Sequence, residues 1–289
     1  ASYDDLVGFA SHRCNLVLQA LGYAPIFDES DDTVSEWFYS SMNSFKFNDN
    51  FYSRGRNYKK EFSAKDFDIF TDNSFEENAS RNIEKCVNKI HDRTEGSGAA
   101  VFVLGPTFAL IGFGAKFGNK SKLMPMLRYR DASSWMWPGV QPREDAFIID
   151  EPEIDSGQSE VIVSVKLTAP AAMIDSTIDH LNQQVQDKLP VINIYPPKTY
   201  GYGNGAIAHP LEGEKLANRL KEIFTNLNQK HGIKKIHLLV CASNAACVYI
   251  GQAVERFQPE FIVYDYGTEM MEPKLRIYND GKTTVIESV

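Results

Sequence analysis

The stretch VFVLGPTFALIGFGAKFGNKSKLMPMLRYRD, residues 101–131, decides the fold. Its apolar run VFVLG has the length and character of a buried strand, TFALIGFGAKFGNK that of a helix, and KLMPMLRYRD that of a second strand, in which Met124, Met126 and Arg128 alternate with Pro125, Leu127 and Tyr129. Strand, turn, helix and strand in that order make a βαβ unit. The C-terminal part of the chain repeats the order. IKKIHLLVCAS, NAACVYIGQAVERF and PEFIVYDYG can be set on the first unit without a gap at an offset of 137 residues, pairing Val103 with Val240, Pro106 with Ser243, Gly114 with Gly251 and Tyr129 with Tyr266.

Working outward, EVIVSVKLTAP reads as a strand, AAMIDSTIDHLNQQVQDKL as a helix, PVINIYPP as a strand and EGEKLANRLKEIFTNLNQKHG as a long helix stopped by Gly232. PKLRIYND and KTTVIES are closing strands. The alternation predicts an α/β fold with largely parallel sheets flanked by helices. Residues 1–95 differ: they are rich in Phe, Tyr, Asp, Asn and Ser, with short amphipathic helices predicted at SHRCNLVLQALGY and NASRNIEKCVNKIHDR. The expected boundary lies near Glu95-Gly96-Ser97-Gly98, and the two later halves are expected at about 96–150 and 160–289.

Composition narrows the function. At 289 residues and 43% hydrophobic the chain can bury a large core, while a net charge of −8 and a pI near 5.3 disfavour broad binding to a nucleic-acid backbone. A small anion in a local pocket remains compatible. No run approaches the ~18 apolar residues of a membrane span, and the N-terminus lacks the basic flank and apolar core of a signal peptide. Ala1 in place of Met fits processing or excision from a longer chain. Cys14, Cys86, Cys241 and Cys247 have neither CxxC spacing nor a histidine pattern and read as buried thiols in a reducing cytoplasm.

Parallel sheets bind ligands beyond the carboxyl ends of their strands, where the next helix presents free N–H groups. The strand-to-helix turns of the two units, Leu104-Gly105-Pro106-Thr107 and Cys241-Ala242-Ser243-Asn244, occupy that place, with Ser243 and Asn244 suited to capping as well as to ligand contact. Gly112, Gly114 and Gly118 imitate a dinucleotide fingerprint but start about eight residues past the strand, inside the helix, so close packing of the helix on its sheet is the better reading. Arg128, Arg130, Trp135 and Trp137 bring guanidinium groups beside flat rings, a pairing suited to a nucleotide and equally compatible with a surface ion pair and core tryptophans. YPPKTYGYGNGAIAHP adds Lys198, Tyr200 and Tyr202 in a glycine-rich loop, and YDYG adds Tyr264, Asp265 and Tyr266. Catalytic motifs (GxSxG, HExxH, a P-loop, an EF-hand) are absent, as is a carboxylate and lysine spacing for a nuclease metal in DEPEIDSGQSEVIVSVK. His237 reads as a satisfied, half-buried histidine.

With both units in order, AVFVLGPTFALIGFGAKFGNK followed by YRDASSWMW, and IHLLVCASNAACVYIGQAVERFQPEFIVYDYG followed by PKLRI, the chain resembles the SAVED domain, a fused pair of CARF-like, Rossmann-like modules from bacterial CBASS anti-phage systems. The resemblance covers residues 99 to about 278. It implies a cytoplasmic receptor, not itself an enzyme, that binds a cyclic di-, tri- or tetranucleotide made by a CD-NTase, with a cyclic trinucleotide of the oligoadenylate type favoured. It also implies self-association on ligand binding and a fused effector domain such as a nuclease acting on DNA, with no cofactor, metal or membrane. The implied pocket wall is Gly105, Pro106 and Thr107 from one half and Ala242, Ser243 and Asn244 from the other. Arg130, Trp135, Lys198 and Tyr200 would be phosphate and base contacts, with Tyr266 beside them. The family often carries Ala-Pro where this chain has Ala242-Ser243. An alternative is a phosphodiesterase or ring nuclease on the same fold, for which Tyr266 or His209 would be the nucleophile or base.

Overall fold

A computed structural model of the chain describes residues 75–94, 99–101, 103, 105–118, 123–129, 134–135, 137 and 140–289. The expected helix at residues 11–23, Cys14, and Arg130 lie outside the described residues. The elements in order are α1 (Phe75–Thr94), β1 (Ala99–Val101), α2 (Thr107–Phe117), β2 (Leu123–Pro125), β3 (Arg128–Tyr129), β4 (Ser134–Trp135), β5 (Ile148–Asp150), β6 (Glu160–Lys166), α3 (Ala172–Gln183), β7 (Val191–Tyr195), α4 (Pro210–Gln229), β8 (Lys235–Cys241), α5 (Asn244–Gln252), β9 (Glu260–Tyr266), β10 (Met271–Asn279) and β11 (Thr284–Ser288).

Seven strands form one sheet in the order β11-β10-β9-β8-β6-β7-β5. The central pairs β7–β6, β6–β8 and β8–β9 are parallel, and the outer pairs with β5, β10 and β11 are antiparallel. Central parallel strands are covered on both faces, which explains their near-continuous apolar runs. Val161, Val163 and Val165 of β6 pack with residues of α2, α4 and α5 in the main core, while Ile162 packs on Ile174 and Leu181 of α3. From β6 the chain steps to β7 on one side and returns to β8 on the other. Open sheets of this kind bind ligands beside such a reversal, here at the carboxyl ends of β6 and β8.

The first βαβ unit stands apart as the two-stranded parallel pair β1–β2 around α2. The overlay at 137 residues holds in three dimensions. Thr107 and Asn244 both start helices at that separation, and so do Leu123 and Glu260 for strands. α2 and α5 cross where Gly114 meets Gly251, the glycines that the overlay pairs. A Cβ on Gly114 would lie 2.2 Å from the Val248 oxygen, and one on Gly251 would lie 2.1 Å from the Ile111 oxygen. Gly114 therefore serves contact between the repeats rather than packing on a sheet. Gly112 faces Leu275 and Ile286 of the large sheet and Ile83 of α1.

Other differences from the sequence reading have local causes. KLMPMLRYRD is two short strands rather than one. Met126 and Leu127 are both buried, which interrupts the alternation, and the Met126 amide donates to the Val101 oxygen at 2.7 Å. β5, at the end of the range read as the first half, pairs with β7 in the large sheet. α1, read as part of an N-terminal segment that extends the two halves or links them to a further domain, places Ala79, Ile83, Val87 and Ile90 in the main core. The segment AVERF leaves the helix after Gln252 and ends at Phe257, which is exposed with φ 63°. Half of the glycine-rich loop is core after all, since Ala206, Ile207, Ala208 and His209 are buried.

Candidate functional site

The two strand-to-helix turns face one another at the carboxyl edge. Asn244, the first residue of α5, donates from Nδ2 to the Val103 oxygen at 2.9 Å, reaching from the second unit to the turn of the first. Asp265, near the end of β9, accepts from the Phe108 amide in the first turn of α2 at 3.2 Å. Its other oxygen accepts from the Tyr266 amide at 2.8 Å. These two bonds bring the segment of Gly105, Pro106 and Thr107 near that of Ala242, Ser243 and Asn244. Pro106 is exposed and Gly105, Thr107, Ala242 and Asn244 are half-buried, while Ser243 is buried.

Several donors of these turns are already engaged. Ser243 caps α5, its Oγ accepting from the Ala246 amide at 3.3 Å, and the start of α2 is held by Asp265. On the other face of the sheet, β6 ends in Lys166, whose ammonium pairs with Asp175 in the first turn of α3. Thr168 follows. Its Oγ1 lies 3.1 Å from the Cys241 sulfur, and its amide and that of Leu167 both bond to the Cys241 oxygen. Tyr266 is exposed beside this group and hydrogen-bonds Cys241. Thr168, Cys241 and Tyr266 are therefore joined at the ends of β6, β8 and β9, and Lys166 closes β6 next to them in sequence.

Lys198 and Tyr200 belong to the loop after β7, which is tied to the same place by a bond from the Gly203 amide to the Leu167 oxygen at 3.1 Å. Lys198 is exposed. Tyr200 is not a free stacking platform: its hydroxyl donates to Asp145 at 2.9 Å, and the Arg143 guanidinium sits 4.2 Å from its ring centroid. Arg143 in turn grips the buried Glu212 through Nε (2.8 Å) and Nη2 (2.7 Å) and donates to the Ala206 oxygen at 2.8 Å. This clamp organises the loop. Trp135 is placed in β4, opposite Arg128 of β3, and only its backbone is described. Trp137 is a core residue, its ring nitrogen donating to the Pro125 oxygen at 3.2 Å.

The candidates for chemistry are not set up for it. His209 is buried and its Nδ1 accepts from the Leu211 amide at 3.1 Å, so the ring nitrogen a base would use caps α4. Burial also lowers its pKa. Tyr266 is pushed up by burial and by its bond to Cys241, away from the phenolate that a nucleophile needs. His237 lies toward the amino end of β8, between Tyr264 Oη (2.9 Å) and Glu160 Oε2 (2.8 Å), and is fully satisfied. Cys86, Cys241 and Cys247 are buried thiols, and burial raises the Cys247 pKa. Sequence reasoning missed Lys166, Thr168 and Arg143. A lysine closing the apolar run EVIVSVK was a readable signal for the first of them.

A family model described as "SAVED: SMODS-associated and fused to various effectors sensor domain" matches residues 83–277, about two-thirds of the chain. Among solved structures, the chain is similar to the Acinetobacter baumannii Cap4 SAVED/CARF-domain containing receptor solved with the cyclic trinucleotide 2'3'3'-cAAA. The TM-score is 0.52 at 16% identity, covering 72% of this chain and 45% of that one. The same receptor with 3'3'3'-cAAA gives a TM-score of 0.47 at 16% identity, covering 68% and 44%. The Moraxella osloensis Cap4 SAVED/CARF-domain containing receptor gives 0.41 at 12%, covering 68% and 42%. The chain spans less than half the length of these structures. No curated protein sequence matches it. No helix among the described residues is long and apolar enough to cross a membrane. From the α/β architecture, the paired βα turns and the family match over residues 83–277, the chain belongs to the SAVED family.

Proposed function

We propose that this SAVED chain is a receptor that binds a cyclic oligonucleotide across its paired turns, with a cyclic trinucleotide of the oligoadenylate type as the favoured ligand. The carrying observation is that two turns 137 residues apart in sequence face each other at the carboxyl edge, beside the point where strand order reverses. Such a site offers two similar walls to a ring-shaped ligand with repeated units. The reading extends to its setting. Residues 96–150 and 160–289 would act as the two CARF-like halves, and a CD-NTase would supply the ligand in a bacterial cytoplasm. Occupancy would drive self-association and activate an effector such as a DNA endonuclease in a longer protein.

The test is thermal melting of the chain against cyclic di-, tri- and tetranucleotides. A ligand at ~100 times its Kd adds about 2.7 kcal/mol, a rise of roughly 5–10 °C for a chain of this size. A response to cyclic triadenylate alone is expected; a flat panel would remove the reading.

Lys166 supplies a half-buried cation at the carboxyl end of β6. Asp175 is its exposed counterion, so a ligand phosphate can take the place of Asp175 without stripping charge from the core. Lys166→Gln is expected to weaken ligand binding about tenfold or more, because a hydrogen bond to a charged group is worth about 1.5–3 kcal/mol. Calorimetric titration of the variant, with its melting point checked alongside, measures this.

A further inference from the structure

Asp265 is buried, with 8% exposure, yet it is a carboxylate. Burial is the largest influence on it and raises its pKa, against the amides of Tyr266, Phe108 and Thr107 and the charge of Lys274, which favour the ionised form. A carboxyl whose folded pKa is raised binds protons more readily in the folded chain, so its ionised form costs stability as pH rises. A buried acid kept at such a cost, at the seam between two repeats, has work other than packing.

What it holds is specific. From β9 of the second unit its carboxylate reaches the first turn of α2, so the wall carrying Gly105, Pro106 and Thr107 is fastened to the unit carrying Ala242, Ser243 and Asn244. Asn244, through the Val103 oxygen, and Cys247 of α5, through the Thr107 side chain, make the other side-chain links from the second unit to that region. Of these, the Asp265 bond is the one that is charge-assisted when the carboxylate is ionised. We propose that Asp265 is the positioning residue of the pocket: its ionised carboxylate sets the spacing between the two walls, and ligand affinity follows its protonation. This rests on the receptor reading above.

The pH dependence has a defined sign. Lowering pH through the raised pKa protonates Asp265, which turns one of its two accepting oxygens into a donor and leaves the other a weaker, neutral acceptor; the first wall slackens and affinity falls. The groups facing Asp265 that could share in this are Glu272, its cross-strand partner on β10, Lys274, which is ion-paired to Glu272, Tyr266 of β9 and Cys247 of α5. The Asp265→Asn comparison separates the contribution of Asp265 from that of the Glu272 carboxyl.

The experiment compares the 289-residue chain with Asp265→Asn, titrating cyclic triadenylate from pH 5 to pH 8. In the wild type affinity should fall toward low pH, and Asp265→Asn should bind about tenfold more weakly at pH 7.5 with no slope over the acid range. Asp265→Asn keeping both the wild-type affinity and its pH profile would overturn the proposal. Should the variant not fold, amide exchange in the wild type serves instead. Protection at Phe108 should drop on acidification in step with affinity, and Phe108 protection independent of pH while affinity changes would overturn the proposal. A wild type that binds no cyclic oligonucleotide at any pH would instead sink the receptor reading, a separate outcome.

Discussion

Arg143→Ala is expected to destabilise the chain by about 3–5 kcal/mol, the typical result of stripping one partner from a buried ion pair. The Glu212 side chain has no exposure, and Arg143 is only 17% exposed. The guanidinium bonds both carboxylate oxygens, and two backbone amides complete the set, Arg143 N at 2.9 Å and Ala208 N at 2.8 Å. Removing the side chain leaves a buried carboxylate with amides alone. Glu212→Gln on the Arg143→Ala background should recover part of the loss, since it removes the charge that has lost its partner.

The pH dependence of this loss separates the ion pair from simple packing. Burial pushes the Glu212 pKa up, but the Arg143 side chain and the two amides overcome it and hold it below the usual carboxylate range. A depressed carboxyl contributes stability above its unfolded pKa and loses it as pH falls through the folded value. In Arg143→Ala burial is left unopposed by the cation, the pKa moves up, and mild acid becomes protective. The difference between wild type and variant in urea midpoint should therefore be largest near pH 7 and shrink toward pH 4–5. A difference constant over that range would mean the pair acts only as filler. Ligand affinity is also expected to fall, because Arg143 holds the carbonyls of Gly205 and Ala206 and stacks on Tyr200 in the loop that carries Lys198.

Legibility in the sequence followed the physics of each element. The central strands could be read because burial on both faces leaves them apolar throughout, and the helices because α4 has a Pro at its start and Gly232 at positive φ just beyond its end. The two βα turns were readable because strand ends and helix starts are local features. What joins them was not. Asp265 meets Phe108 across 157 residues and Arg143 meets Glu212 across 69, and no local pattern encodes such a pairing. Tyr200 shows the limit from the other side. Its loop was found, but a ring occupied by Arg143 and a hydroxyl bound to Asp145 change what it offers a ligand. β5 escaped notice because three residues at a sheet edge, with only Ile149 turned inward, carry too little pattern.

Gly251→Ala puts two rules in direct opposition, and the outcome decides how the halves are joined. Helix propensity alone predicts a gain of about 1 kcal/mol, since Ala replaces Gly inside α5. Contact predicts the reverse: the new Cβ would lie 2.1 Å from the Ile111 oxygen, 2.8 Å from the Ala115 nitrogen and 2.9 Å from the Gly114 Cα. All three atoms are backbone. No rotamer change relieves them, so α2 and α5 must separate, at a cost of about 3 kcal/mol or more for overpacking. Gly114→Ala should behave alike, meeting the Val248 oxygen at 2.2 Å. Gly205→Ala, with open space around its Cβ and no positive φ, is the matched control and should be close to neutral. Because α2 and α5 begin at Thr107 and Asn244, moving them apart moves the two pocket walls apart as well. Gly251→Ala and Gly114→Ala, where they still fold, should therefore lose ligand affinity together with stability, while a variant that gained stability would show that the two repeats do not meet at these glycines.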